Sequence, residues 1–259
     1  ETDLGEDGLV RSHVMIYERS EGPAAYPMLT AVSREDSTPL GWGALSGLAA
    51  DPSTPGKLYA VSDSVYSAAP AIFTIDATKT PALITEKTIV TRHGHPAQKL
   101  DLEGIAADGE GGFWLANEGD SAKMVPHGVF HVDAEGAIKQ EIPFPAELLA
   151  GQTRFGLEGI TTIGSGDELM LVMAVQREWK DDPKGQVKLL AYRPKGKEWS
   201  AVRYPLEAAE TGWVGLSEIT AHDGKLYVIE RDNQIGDAAK VKRLYSVSLD
   251  AFKPVALDG

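Results

Sequence analysis

At 259 residues, 42% of them hydrophobic and 7% aromatic, the chain is long enough to bury a core as one large domain. Its 25 Lys and Arg against 38 Asp and Glu leave a formal charge of −13, which disfavours nucleic acid and anionic membrane surfaces as partners and favours cations. The absence of cysteine removes disulfides, thiolate metal sites and cysteine nucleophiles, while leaving the compartment open.

In chain order, the first forty residues hold strand-like runs at His13 to Glu18 and Met28 to Val32. From residue 44 the chain repeats itself: ALSGLAADPSTPGKLYAVSDSVYSAAPAIFTID (44–76) matches DLEGIAADGEGGFWLANEGDSAKMVPHGVFHVD (101–133) in its order of small, apolar, turn and acidic positions. The unit returns as GLEGITTIGSGDELMLVMAVQREW with GQVKLLAY, and again as GLSEITAHDGKLYVIERD with VKRLYSVSLD. Gly47, Gly104, Gly159 and Glu218 hold one register, so the period runs 57, 55 and 59 residues. A period that long, built of short strands and turns, predicts propeller blades.

Within the second unit, Leu102 to Ala106 leads through Asp108-Gly109 and Gly111-Gly112 into Phe113 to Ala116, a hairpin. Gly128 to Val132 and Ile138 to Ile142, stopped by Pro143, complete four strands. The fold class expected is therefore all-β, a β-propeller with four-stranded blades, spanning residues 1–259 as a single domain. Blades are expected near 41–98, 99–153, 154–212 and 213–259. Residues 1–40 are read as part of a further or closing blade, and the complete ring as five or six blades, with the natural chain continuing past Gly259. Short helical turns are expected at Pro145 to Leu149 and Pro205 to Glu210. The longest apolar stretch, Leu169 to Val175, is far too short to span a bilayer, and no basic, apolar leader opens the sequence, which is read as mature or trimmed.

In a blade the first strand lies nearest the central channel, so Ser46, Glu103, Glu158 and the pair Ser217-Glu218 are expected to face one another at one mouth. The second strands return there with Asp63, Asn117, Glu118, Gln176 and Glu230, beside Arg177, Arg231 and Asp232. Carboxylates converging on one cavity repel unless a cation or arginines neutralise them, and hard oxygen donors suit Ca²⁺ or Mg²⁺. A purely structural role is open to the same residues: a Glu at a strand start can accept backbone N–H bonds from the next blade, repeated because the blade is repeated. His95, in Arg92-His93-Gly94-His95-Pro96, is a candidate metal ligand or general base as well as a solvated loop residue. No G-x-S-x-G elbow occurs. Trp42, Trp114 and Trp213 read as packing residues, Trp42 and Trp213 also as pocket-lining candidates. The run Lys180 to Gly185 reads as a surface turn.

The ordered set LSGLAADPSTPGKLYAVSD, DLEGIAADGEGGFWLANEGD, TRFGLEGI, LLAY, YPLE, GLSEI and YVIERD, from about residue 40 to residue 250, resembles the bacterial phytase-like esterase family, described as having esterase-like activity of phytase. That resemblance implies a β-propeller exported to the periplasm or beyond, metal dependence, and hydrolysis of a small-molecule phosphate or carboxylic ester. The positions it carries over are Asp101, Glu103, Glu118, Arg154, Glu158, Glu218, Glu230 and Arg231. The expected mechanism has Glu103 and Glu158, with His95, as catalytic groups. A Ca²⁺-type ion would be held among Asp63, Glu103, Glu118, Glu158, Glu218 and Glu230, and Arg154, Arg177 and Arg231 would meet substrate anion charge. A non-catalytic propeller binding a ligand or protein through its channel mouth, and a Ca²⁺-dependent lactonase-like propeller, are the alternatives. The sequence does not fix an oligomeric state.

Overall fold

The computed structural model describes residues 2–4, 10–12, 29–33, 39–66 and 68–257. β1 (Thr2–Leu4) and β2 (Val10–Ser12) pair as an antiparallel ribbon. β3 (Leu29–Ala31) is followed by the first blade, the meander β4 (Leu45–Ala50), β5 (Lys57–Ser62), β6 (Ala71–Asp76) and β7 (Ala82–Ile89). A two-stranded ribbon, β8 (Thr91–Arg92) and β9 (His95–Pro96), leads to the second blade: β10 (Leu102–Ala107), β11 (Phe113–Asn117), β12 (Gly128–Val132) and β13 (Ile138–Pro143). Helix α1 (Ala146–Gly151) precedes the third: β14 (Leu157–Ile163), β15 (Met170–Val175), β16 (Gln186–Arg193) and β17 (Glu198–Pro205). The fourth has β18 (Val214–His222), β19 (Lys225–Asp232) and β20 (Lys242–Ser248), after which β21 (Val255–Ala256) turns back to pair with β17. These four sheets stand as the four blades of a β-propeller, as the repeats predict.

Two features at the ends differ from a plain repeat. Leu29–Ala31 runs parallel to β7 and widens the first blade; among the described residues no separate blade forms ahead of it. The strand expected at His13 to Glu18 lies outside the described residues. Of the two expected helical turns, the first is α1, but Pro205 to Glu210 leaves β17 as irregular chain, with the Leu206 N–H bonded to Gly185 O and the Glu207 N–H to the Glu230 carboxylate.

The hairpins follow from local chemistry. Between β10 and β11 the Asp108 carboxylate accepts the N–H groups of Glu110 (2.7 Å) and Gly112 (2.9 Å), while Gly109 and Gly111 take φ of 85° and 100°, open to residues without Cβ. The core lies between blades. Val61, Ile72, Ile105, Leu115 and Phe130 fill the first interface, Trp114, Val129, Leu157, Met173 and Leu190 the second, and Val172, Leu189, Leu216, Ile219 and Val228 the third. All six residues of β15 are buried, which is why MLVMAV is apolar without alternation: both faces of its sheet are covered.

At the axis, β4 packs on β10, β10 on β14 and β14 on β18. Glycine sets the spacing. A Cβ on Gly47 would lie 2.6 Å from the Glu103 carbonyl oxygen, one on Gly104 2.9 Å from Ile160 N, and one on Gly159 2.5 Å from Ile219 N. Glu218, the fourth residue of that register, instead carries a carboxylate whose Oε1 accepts the Ile219 N–H (2.9 Å) and whose Oε2 accepts the Leu48 N–H of the first blade (3.2 Å). The structural role anticipated for such a glutamate is thus what Glu218 performs.

Lys180 to Gly185 is more than a surface turn. Lys188, 2% exposed, reaches Asp181 (2.8 Å) and the fully buried Asp182 (2.6 Å), while Arg203 reaches Asp182 at 3.0 Å. Trp179 lies under the same ammonium, 4.9 Å from its ring centroid. A buried ammonium needs these partners, since an uncompensated charge inside a protein is strongly destabilising.

Two stability measurements check this packing. Gly104→Val is expected to cost about 3 kcal/mol in denaturant unfolding, whereas Gly41→Ala, where a Cβ meets nothing within 4 Å, stays within about 0.5 kcal/mol. Asp182→Ala is expected to cost about 3 kcal/mol by leaving Lys188 with one half-exposed carboxylate.

Candidate functional site

Each of the four first strands carries a β-bulge at the same place. The pairing skips between Leu45 and Leu48, Leu102 and Gly104, Leu157 and Gly159, and Leu216 and Glu218. The residues set free are Ser46 with Gly47, Glu103, Glu158 and Ser217, and a bulged residue is re-aimed out of the regular pleat. The residue at or next to the end of each second strand completes the set. Asp63 N–H bonds Ala44 O (2.8 Å), Glu118 N–H bonds Asp101 O (2.9 Å), Gln176 N–H bonds Gly156 O (2.8 Å), and Arg231 pairs with Gly215. Asp63, Glu118, Gln176 and Arg231 are therefore equivalent positions.

These residues meet at one mouth of the propeller. One oxygen from each of Asp63, Asp101 and Glu103 lies within 4.8 Å of the others. Ser46 donates its hydroxyl to Glu103, Gln176 donates Nε2 to Glu158, and Arg231 Nε donates to Ser217 Oγ (2.9 Å). Asp63 also accepts the Val65 N–H (2.8 Å) and Asp101 the Ser64 N–H (3.1 Å), which fixes the loop after β5 against the cluster. Asp101 was a position carried over by resemblance, yet it stood outside the expected ligand set. Its signal was modest: it directly precedes the apolar run of β10, where the chain turns into the mouth.

Burial and mutual repulsion act on this cluster together. Burial first, then the neighbouring Glu158 and Asp63, hold the Glu103 carboxyl well above its ordinary range. Burial, with Glu158, Asp101 and Asp63, pushes Glu118 up to about 8. Burial raises Glu158 to about 7, with Arg231 opposing. Glu218 is pushed up to about 8 by burial, against its two backbone N–H donors. Asp63 is raised by burial and by Asp101. Gln176, 7% exposed, keeps its Oε1 buried without a hydrogen-bond partner. Crowded carboxylates at raised pKa and an orphaned amide oxygen form a hard donor set, and such a set fits a divalent cation.

Other expected residues stay outside this group. Glu230 lies one position before Arg231, so the two-residue period of the strand turns it to the opposite face. There, 1% exposed, it accepts from Tyr204 OH (3.2 Å) and from the Glu207 N–H. Asn117 receives the Asp101 N–H (2.6 Å) and donates to Pro126 O, a structural bridge. Asp232 accepts the N–H groups of Gln234, Lys240 and Val241, which hold its carboxyl down at about 2 against burial. His95 is exposed in β9, paired with Arg92, whose guanidinium binds Glu141 on the outermost strand of the second blade; the carboxylates sit on the innermost strand. Trp42 packs on the core of the first blade, and Trp213 meets Phe155 in a tilted pair with 5.8 Å between ring centroids.

Residues 40–257 match the family model described as phytase-like, esterase-like activity of phytase. No curated protein matches the chain. Among solved structures the chain is similar to the Niastella koreensis GH74 enzyme, at 12% identity and a TM-score of 0.49 over 82% of this chain and 30% of that one. It is also similar to the GH43_1 enzyme from Xanthomonas citri complexed with xylose, at 14% identity and a TM-score of 0.39 over 75% and 66% of the two chains. The chain thus spans less than a third of the first protein's length and just under two thirds of the second's.

The raised carboxyls give a pH signature. From the ordinary 4.5 up to about 8, folded Glu118, Glu158 and Glu218 hold protons that the unfolded chain has released, so stability falls as pH rises through that window. Chelator-treated protein should melt at a lower temperature at about pH 8.5 than at about pH 5, and Ca²⁺ should recover the stability lost at the higher pH and so narrow the difference. A flat profile would mean that the cluster is not buried as described.

Proposed function

Because the chain belongs to the phytase-like family, described by its esterase-like activity, we propose that it hydrolyses phosphate or carboxylic esters at the carboxylate cluster with a divalent cation, Ca²⁺, bound there. The observation that supports this reading is the meeting of Asp63, Asp101 and Glu103 oxygens within 4.8 Å, in surroundings that raise the pKa of Glu103 and Asp63. The three carboxylates would hold the ion. When bound, it would supply a positive centre that polarises the ester oxygen and acidifies water.

The chain's own residues divide the remaining work. Ser46 fixes the orientation of Glu103, and Gln176 that of Glu158, so neither carboxylate has to reorient when a substrate arrives. Glu118 and Glu158 are both held above the ordinary carboxylate range, mainly by burial, so both can carry a proton near neutral pH; Glu118 is the proposed donor to the leaving oxygen and Glu158 the proposed acceptor from water. Export to the periplasm or beyond belongs to this reading through family likeness alone.

Calorimetric titration of chelator-treated protein with Ca²⁺ tests the ion, and hydrolysis of p-nitrophenyl phosphate and p-nitrophenyl acetate tests the reaction. Micromolar binding that disappears in Glu103→Gln, with turnover lost on chelation and regained with Ca²⁺, is the expected result. Binding without turnover of any ester would favour a ligand-binding propeller, and absence of binding heat would make these carboxylates structural acceptors. Glu118→Gln should lower kcat about 100-fold with little effect on Ca²⁺ affinity.

A further inference from the structure

Beside the carboxylates lies a cluster of guanidinium groups and aromatic rings in mutual contact. Arg154, in the segment ahead of β14, lies 4.8 Å over the Phe155 ring, and Arg177, just past β15, lies 4.6 Å over the same ring. Arg177 also lies 4.7 Å over Trp213, and Arg231 of β19 is 5.5 Å from that ring. The order is Arg154, Phe155, Arg177, Trp213, Arg231. Gly215 leaves room for it: a Cβ there would come within 3.1 Å of the Trp213 ring and 3.4 Å of Arg177 Cγ.

Three cations so close repel one another, and the usual remedy is a carboxylate in contact with each. Here, among the described residues, none of the three forms an ion pair with a carboxylate within 4.0 Å. Arg154 acts on Glu118 and Arg231 on Glu158 only at longer range. Arg177 Nε is buried with no hydrogen-bond partner. Arg231 Nε is taken by Ser217 Oγ, but among the described residues no carboxylate within 4.0 Å occupies the terminal N–H groups of the three guanidiniums, and paired guanidinium N–H groups match the spacing of oxyanion oxygens. The series runs inward from exposed Arg154 to half-buried Arg177 and Arg231, so an anion held along it would lie against the carboxylate cluster.

We propose that the Arg154–Phe155–Arg177–Trp213–Arg231 cluster is an oxyanion-binding subsite, distinct from the cation site, and that the substrate carries a phosphate or carboxylate group in addition to the ester that is cleaved. The proposal rests on the hydrolase reading for the word substrate, but not for the binding of the anion. Arg177 is the central donor, because it touches both rings and its Nε is buried and unpartnered. The rings hold the three side chains in place, so the anion meets donors that are already ordered.

The test is calorimetric titration of the full chain, stripped of metal by chelator, with inorganic phosphate and separately with succinate. Without a cation, any anion binding must come from the protein's own donors. Millimolar or tighter binding of at least one probe is expected, weakened about tenfold or more in Arg177→Met and about threefold or more in Arg154→Met. The tighter probe identifies the group as phosphate or carboxylate. Arg154 is exposed, so its variant folds even where Arg177→Met does not. Wild-type protein that binds neither probe, or an Arg154→Met variant that binds as tightly as wild type, would overturn the proposal. Because no turnover is read, a protein that hydrolyses nothing can still bind the anion, and one that hydrolyses neutral esters can fail to; the two readings fall separately.

Discussion

The close approach of β4, β10, β14 and β18 governs the rest of the molecule. Gly47, Gly104 and Gly159 bring backbone against backbone at the axis, at distances no side chain allows. That contact fixes how far each blade sits from the next, and hence how well Met173, Leu189, Leu216 and the other interface residues interdigitate. It also brings the bulged residues of separate blades within reach of one another. A looser axis would spread Asp63, Asp101 and Glu103 apart and relieve the repulsion that helps to raise the Asp63 and Glu103 carboxyls. The tight axis and the strained electrostatics are two aspects of one geometry.

Much of this was legible in the chain because repetition writes the same signal several times. The glycine register, the hairpins and the apolar runs of the inner strands all pointed to blades, and Glu103 and Glu158 stood out at the start of strands. What failed did so by single positions. Glu230 and Arg231 are neighbours, and sequence likeness alone does not say which of them shares a register with Asp63, Glu118 and Gln176. One residue in a strand turns a side chain through the sheet, so the choice separates a site residue from a buried structural acceptor bonded to Tyr204.

Other misreadings have the same character. Asp181-Asp182-Pro183 has the composition of a solvated turn, and nothing local announces that the buried Lys188, several residues on in β16, depends on it. Pro205 to Glu210 reads as a helical turn, but tertiary bonds tie Leu206 to Gly185 and Glu207 to Glu230 in an irregular segment. His95 looked close to Asp101 along the chain, yet the intervening residues carry the backbone from the outermost strand of one blade to the innermost strand of the next. Sequence proximity across such a connection says little about distance.

The repeated bulge has a consequence of another kind. A residue inserted into a bulge has no partner across the ladder, so its identity is uncoupled from strand pairing. The four copies hold Ser46, Glu103, Glu158 and Ser217 without any change in the surrounding register. Each blade in effect offers a socket whose occupant can be exchanged at little cost to the scaffold. Duplication of such a unit multiplies sockets around one axis, and mutation can then tune them singly, so that charge, polarity and ligand count at the mouth diversify while the fold stays as it is.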